Sequence, residues 1–229
     1  MAVSGGKDSL ALWDVLLEDG YQTAGIYLDL GIFEYSVESK GKCEAFAAAR
    51  GQKLIVERVT DAVGAPIPEV QKVTRRPTCS ACGLSKRYLL NRAALEHGYA
   101  VVATGHNLDD EAATLFGSVL HWQMDALPRQ SPMLASTHPK LARRVKPLYR
   151  LSERETAAYA FLRGIDYIVE ECPFSRGPPR SPTRMCSTAS RKPHRGPSTT
   201  SSSAFSTRPG RPSRRPRGRS SRSAGCAGR

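Results

Sequence analysis

Six consecutive residues constrain this chain most: Ser4-Gly5-Gly6-Lys7-Asp8-Ser9, followed at once by Leu10-Ala11-Leu12-Trp13. Glycine permits positive φ and removes side chains that would keep a ligand away from the backbone. The apolar positions Leu10, Trp13, Leu16 and Leu17 recur with helical spacing. The loop therefore opens a helix, where unpaired N–H groups and the helix dipole attract a phosphate. Lys7 adds a positive charge, and Ser4 and Ser9 add hydroxyl donors. Asp8 is the odd member, since a carboxylate beside phosphates makes chemical sense when it binds the magnesium that accompanies them. The plainer reading is a Gly-rich turn that only caps a helix, but the complete string lies where a first β–α turn belongs.

This is not the Walker loop, which needs four residues between its glycines and a Gly-Lys-Ser/Thr ending. It has the pattern of the PP-loop ATPases, which bind ATP and release pyrophosphate, leaving an adenylated intermediate. Met1-Ala2-Val3 reads as the end of a strand, and a phosphate loop normally follows a whole one, so the start is expected to be truncated. Downstream, 9–18 reads as a helix, Thr23–Ile32 as a buried strand and loop, Glu38–Arg50 as a helix and Leu54–Val59 as a strand. Residues 61–78 read as a polar connection, 83–97 as a helix, and Ala100–Ala103 as a strand before a helix ending near Leu120. Residues 121–144 read as irregular, Val145–Tyr149 as extended, Ser152–Arg163 as a helix with a Ser152/Glu155 capping box, and Tyr167–Val169 as a last strand. This alternation predicts an α/β fold, a doubly wound parallel sheet with helices on both faces.

The net charge of +13 suggests nucleic acid until it is located. No acidic residue follows Glu171, and residues 172–229 hold thirteen arginines and one lysine. Residues 1–171 then carry twenty basic against twenty-one acidic side chains, a net −1. The positive charge belongs to the tail, and this average offers no basic face on the rest of the chain. No apolar run approaches the roughly 18 residues that a membrane span needs. Six cysteines without a secretory leader suggest a cytoplasmic protein whose thiols bind metal or do chemistry.

Two further clusters carry chemistry. Gly105-His106-Asn107-Leu108-Asp109-Asp110 lies at the carboxyl end of a predicted strand, where open α/β sheets bind ligands. Asp110 is the candidate functional carboxylate there, and Asp109 reads equally well as a helix cap. Cys79-x-x-Cys82 opens a helix, either as a redox pair or as part of a metal site. Cys172, just after a predicted strand, is the natural third ligand, and three thiols around a [4Fe–4S] cluster leave one iron open. Structural zinc would want four closed ligands. Cys43, among alanines on a helix, reads as a core residue, and Lys86 is either a phosphate ligand or a surface lysine.

The segments SGGKDSLALWDVL, CSACGLSKRY, ATGHNLDDEA, RVKPLYRLSERE and EECP, taken together, resemble the PP-loop tRNA 2-thiolation enzymes. The nearest branch is the one that thiolates 5-methyluridine of the T-loop, beside the wobble-uridine and 2-thiocytidine enzymes. The resemblance covers residues 1–176 and implies an adenine nucleotide alpha hydrolase-like sheet. It implies that Ala2, Ser4, Gly5, Gly6, Lys7, Asp8, Ser9, Lys86 and Gly105 bind ATP with Mg2+. It implies that Cys79, Cys82 and Cys172 hold a [4Fe–4S] cluster, and that Asp110, Cys79 and Lys7 act in catalysis. The implied activity is adenylation of a uridine C2 oxygen in tRNA and its replacement by sulfur. The implied partners are tRNA, a sulfur donor such as a ubiquitin-like thiocarboxylated protein, and a second copy of the chain in a homodimer. The rival readings are a lysidine or GMP synthetase-like ligase, which the three cysteines argue against, and an inert fragment that binds RNA through its basic tail. The family's zinc modules before the phosphate loop and near the C-terminus are not in this sequence.

Residues 177–229 are Arg, Pro, Ser, Gly, Ala and Thr with almost no apolar period, so a disordered basic tail is expected. Out-of-frame translation of a GC-rich gene explains the same composition. Met185-Cys186 must be read from ATG-TGY; codons begun one base earlier give Asp, Asn, His or Tyr, then Val, then Leu or Phe. Extended over 178–190, that shift permits ATSLAYADVLNRL, the kind of helix the resembled family has there.

Overall fold

The computed structural model describes residues 1–175. The tail expectation lies outside the described residues. The chain begins β1 (Ala2–Val3), α1 (Lys7–Glu18), β2 (Gly25–Asp29), α2 (Phe33–Ala49) and β3 (Leu54–Arg58). It continues α3 (Val59–Val63), α4 (Ile67–Thr74), α5 (Thr78–Glu96), β4 (Val101–Ala103) and α6 (Leu108–Leu120). Then come a 3-10 segment (Met124–Gln130), β5 (Met133–Leu134), β6 (Arg143–Val145), α7 (Glu153–Leu162) and a short 3-10 turn at Pro173–Ser175.

Strands β1, β2 and β3 pair in parallel in that order, with Val3 opposite Tyr27 and Tyr27 opposite Val56. In a second set β6 lies between β4 and β5, parallel to β4 and antiparallel to β5. The expected parallel α/β architecture is therefore present, with one antiparallel edge strand.

Helix α1 forms because Leu10, Leu12 and Trp13 are fully excluded from solvent against the sheet. Burial of each such side chain contributes about 1.5–3 kcal/mol. Trp13 stacks at 5.2 Å on Phe46 of α2, and its indole N–H donates to Thr23 Oγ1 at 2.9 Å. The same helix also buries a carboxylate. Asp14, 1% exposed, accepts from Arg50 at 2.6 Å, from Arg163 at 2.8 Å and from Tyr159 Oη at 2.9 Å. Burial alone would raise its pKa, but the two guanidinium groups and the phenol outweigh that and hold it below the usual carboxylate range. Asp14 thus joins α1 to the end of α2 and to α7.

Three expectations differ in detail. Residues 61–78 are not a bare connection: Ile67 and Val70 are buried and build α4. Val145 closes β6, and the extended stretch lies before it. Residues 167–169 form no strand, and Ile168 N–H makes one bond, to the Gly5 carbonyl at 2.9 Å.

Candidate functional site

Gly6 caps α1 with extended backbone and no side-chain hydrogen bond. The first-turn N–H groups of α1 therefore face an anion site with no protein cap in it. Beside them lies a cavity of about 340 Å³, within the size range of small-molecule sites. It is lined by Ala2, Ser4, Gly6, Asp8 and Ser9, by Tyr27 of β2 and Tyr35, Ser36 and Ser39 of α2, and by Lys86, Gly105 and His106. Seven of the nine residues expected at ATP thus line one cavity, although they come from three distant parts of the chain.

The loop is held from within. Ser9 Oγ donates to the Gly6 carbonyl at 2.9 Å and accepts from Ser4 N–H at 3.2 Å. Gly5, at φ 75°, does not line the cavity: a Cβ there would sit 2.6 Å from the Ser39 carbonyl oxygen, so glycine is what lets α2 approach. Gly105 plays the matching part opposite, since its Cβ would meet Asp8 C and O at 3.0 Å. Lys7 also points elsewhere. Its ammonium reaches Asp8 at 2.9 Å and Glu153 at 3.1 Å. Burial lowers its pKa, the two carboxylates raise it, and the net shift is upward, so Lys7 is a firm cation.

Sequence reasoning missed what clamps Asp8. Thr156 Oγ1, from α7, donates to Asp8 Oδ1 at 2.6 Å, and the backbone N–H of Glu153 donates to Asp109 Oδ2 at 2.7 Å. The start of α7 therefore grips both the phosphate loop and the start of α6. The cap of α6 is Asn107, in a reciprocal box with Asp110: Asp110 N–H reaches Asn107 Oδ1 at 3.0 Å. Asp110 stands in the first turn of α6, four residues past His106 of the cavity lining, without lining the cavity itself.

Cys79 and Cys82 lie in the first turns of α5, and Cys172 precedes the turn that packs on α5. Cys79 Sγ bonds the Phe174 carbonyl at 3.3 Å, and Cys82 and Cys172 pack on the same apolar cluster. Burial raises the Cys82 pKa first; Lys86 lowers it, and the neighbouring Cys172 and Cys79 raise it again. The three thiols thus share one corner. Among the described residues, no three His, Cys, Asp or Glu side chains converge closely enough to hold a metal ion. Cys43 is fully buried, its pKa pushed up to about 12 by desolvation, as suits a core residue.

A parallel α/β sheet with an uncapped phosphate loop at its first β–α turn, and a cavity at the carboxyl ends of its strands, defines a nucleotide-binding domain. The family model for the PP-loop domain matches residues 1–180, and the chain belongs to that family. It is 56% identical over 177 residues to a tRNA-5-methyluridine(54) 2-sulfurtransferase of Thermus thermophilus, covering 77% of this chain and 55% of that protein. It is 45% identical over 177 residues to the protein of the same name from Pyrococcus horikoshii, covering 77% and 56%. The chain thus spans about half the length of the curated relatives it matches. Among solved structures it superposes with a TM-score of 0.70 on a U34-tRNA thiolase from Methanococcus maripaludis with its [4Fe–4S] cluster. That match is at 29% identity and covers 82% of this chain and 63% of that one.

Proposed function

We propose that this protein transfers sulfur to a tRNA uridine at the expense of ATP, and that it works in the cytoplasm. The observation that carries the reading is the meeting of two sites: Lys86, four residues past Cys82 on α5, lines the ATP cavity. The thiol corner therefore adjoins the cavity through Lys86, which interacts with Cys82, and the relatives named above are tRNA sulfurtransferases. A ligase of the lysidine or GMP synthetase kind has no use for the three thiols.

ATP is placed with its phosphates on the uncapped α1 N-terminus and Lys86, its base toward Tyr27 and Tyr35. Both oxygens of Asp8 are engaged, by Thr156 and by Lys7, so Mg2+ at Asp8 would take the place of the Lys7 contact. Released, Lys7 turns its charge to the phosphates. The uridine C2 oxygen attacks the α-phosphorus and pyrophosphate leaves. A sulfide-level nucleophile then attacks C2, the C2–O bond breaks, and AMP departs with the oxygen, so no net oxidation is needed. Asp110, four residues past His106 of the cavity lining, takes the proton that sulfur brings.

Cys79, Cys82 and Cys172 are a soft, three-thiol donor set whose chemistry suits a [4Fe–4S] cluster, and they would have to draw together from their shared corner to hold it. When bound, the cluster supplies an iron without a protein ligand where sulfur can be carried. A thiocarboxylated protein as donor and a homodimer belong to the same proposal. The exposed Leu115, Val119 and Leu120 of α6, with Trp122 beyond it, are apolar surface that a second copy would cover.

The test is the cleavage pattern of ATP. The reading predicts AMP and pyrophosphate, formed only with tRNA and lost in Asp8→Ala. ADP and phosphate, or turnover without RNA, would overturn it.

A further inference from the structure

The average of −1 over residues 1–171 hides how the charges are sorted. Between Glu69 and Glu96 there are six basic residues and no acidic one, and the same holds between Asp125 and Glu153. The fold brings these two windows together. Arg144 Nη2, on β6, donates to the Arg87 carbonyl of α5 at 3.0 Å. Asn91 on α5 stitches the same edge, donating to the Lys140 carbonyl and accepting from Ala142 N–H, both at 2.8 Å.

Two other cations in these windows are neutralised: Arg92 by Glu57 at 3.1 Å and Lys146 by Glu111 at 2.8 Å. Among the described residues, no carboxylate pairs with Arg87, Lys140 or Arg144. Arg144 is half-buried, and burial and the Arg87 charge both pull its pKa down. Two guanidinium groups side by side without an anion are unfavourable in the free protein and favourable once an anion arrives.

ATP is not that anion, because neither arginine lines the cavity. They stand just outside it. Arg87 follows Lys86 of the cavity lining, and Arg144 precedes Val145, which pairs with Ala103 next to the lining residues Thr104 and Gly105. On the same helix Tyr88 is 60% exposed, an available face for a base to stack on.

We propose that Arg87, Arg144 and Lys140 form the surface on which the RNA phosphate backbone lies while its uridine enters the cavity. This rests on the tRNA reading above and names the face that the substrate meets. Guanidinium forks suit phosphate oxygens in pairs.

The test uses the 229-residue chain and a tRNA transcript, with affinity measured across a salt series. Each lost phosphate contact lowers the slope of log affinity against log salt by about 0.7–0.9. The double variant R87Q/R144Q should lower it by about 1.5, while ATP affinity stays unchanged. Whatever residues 177–229 contribute is common to both proteins. In the wild type, tRNA should shield Arg87 and Arg144 from phenylglyoxal, read by peptide mass spectrometry, and ATP should not. An unchanged slope, shielding by ATP, or shielding by an acidic protein carrier in place of tRNA would overturn the proposal. Thiouridine is measured in the same samples. Normal thiolation with an unchanged slope sinks this surface alone; shielding by tRNA with no thiouridine sinks the thiolation reading and leaves the surface standing.

Discussion

Alanine at Gly105 and alanine at Gly6 should both weaken ATP binding, but only the first should lower stability. A Cβ on Gly105 would lie 3.0 Å from Asp8 C, Asp8 O and Ser9 Cα, all backbone or Cα atoms of the phosphate loop. Such contacts are several tenths of an ångström too close, and backbone cannot rotate away as a side chain can. The α6 approach and the loop must separate, and overpacking of this kind costs about 1–3 kcal/mol. For a domain of this size that is a fall in Tm of about 3–10 °C. The displaced loop carries the N–H groups that meet phosphate, so ATP affinity should fall at least tenfold, equivalent to about 1.4 kcal/mol. At Gly6 the nearest neighbour of a Cβ is Ser4 Oγ at 3.6 Å, an ordinary contact, and the backbone is extended with φ −80°. Loss of a good N-cap residue and the gain from a stiffer unfolded chain nearly cancel, leaving stability within about 0.5 kcal/mol. Yet Gly6 lines the cavity, so Gly6→Ala should also weaken ATP. Thermal unfolding and ATP titration of both variants check this. An unchanged Tm in Gly105→Ala, or full ATP affinity in Gly6→Ala, would refute the placement of the loop.

Asp14 should make folding acid-sensitive. Its folded pKa is lowered, so its stabilisation is present above the unfolded value of about 3.9 and is lost as pH falls through the folded one. Denaturant titration should show that pH dependence disappear in Asp14→Asn. Replacing both Arg50 and Arg163 by Ala strands a buried carboxylate and should destabilise the fold more than removing Asp14 itself does. Anaerobic reconstitution with iron and sulfide should give a broad absorption band near roughly 400 nm, typical of such clusters. Cys79→Ala, Cys82→Ala or Cys172→Ala should each abolish that band and Cys43→Ala should spare it; a full band in Cys172→Ala would contradict the three-thiol set. Resequencing the gene through the codons for Phe174 to Arg180 should reveal a one-base insertion or deletion, and early stop codons in the alternative frame would dismiss it.

The phosphate loop was legible because its function lies in contiguous residues whose types and spacing say what they bind. The capping box of α7 was legible in the same way, and the structure shows Ser152 and Glu155 bonded both ways. Contacts between distant residues were not legible. Nothing at position 156 announces that its hydroxyl will hold Asp8, 148 residues away. Asn107, not an aspartate, caps α6, because cap preference ranks Asn and Asp alike and only backbone geometry decides between neighbours. The basic surface was obscured by averaging: a net charge sums over faces, whereas two acid-free windows reveal themselves only when the fold lays α5 against β6. Helix α4 was hidden by its length, since eight residues with two buried positions show too little period to stand out from a polar connection.

The central claim is that ATP activates the uridine oxygen itself, and isotope transfer tests this directly. A tRNA carrying 18O at the uridine C2 oxygen is incubated with the protein, ATP, Mg2+ and sulfide, and AMP and nucleosides are analysed by mass spectrometry. One 18O should appear in AMP for each 2-thiouridine formed. Unlabelled AMP accompanying 2-thiouridine would contradict the account, because the oxygen would then have left without passing through an adenylate.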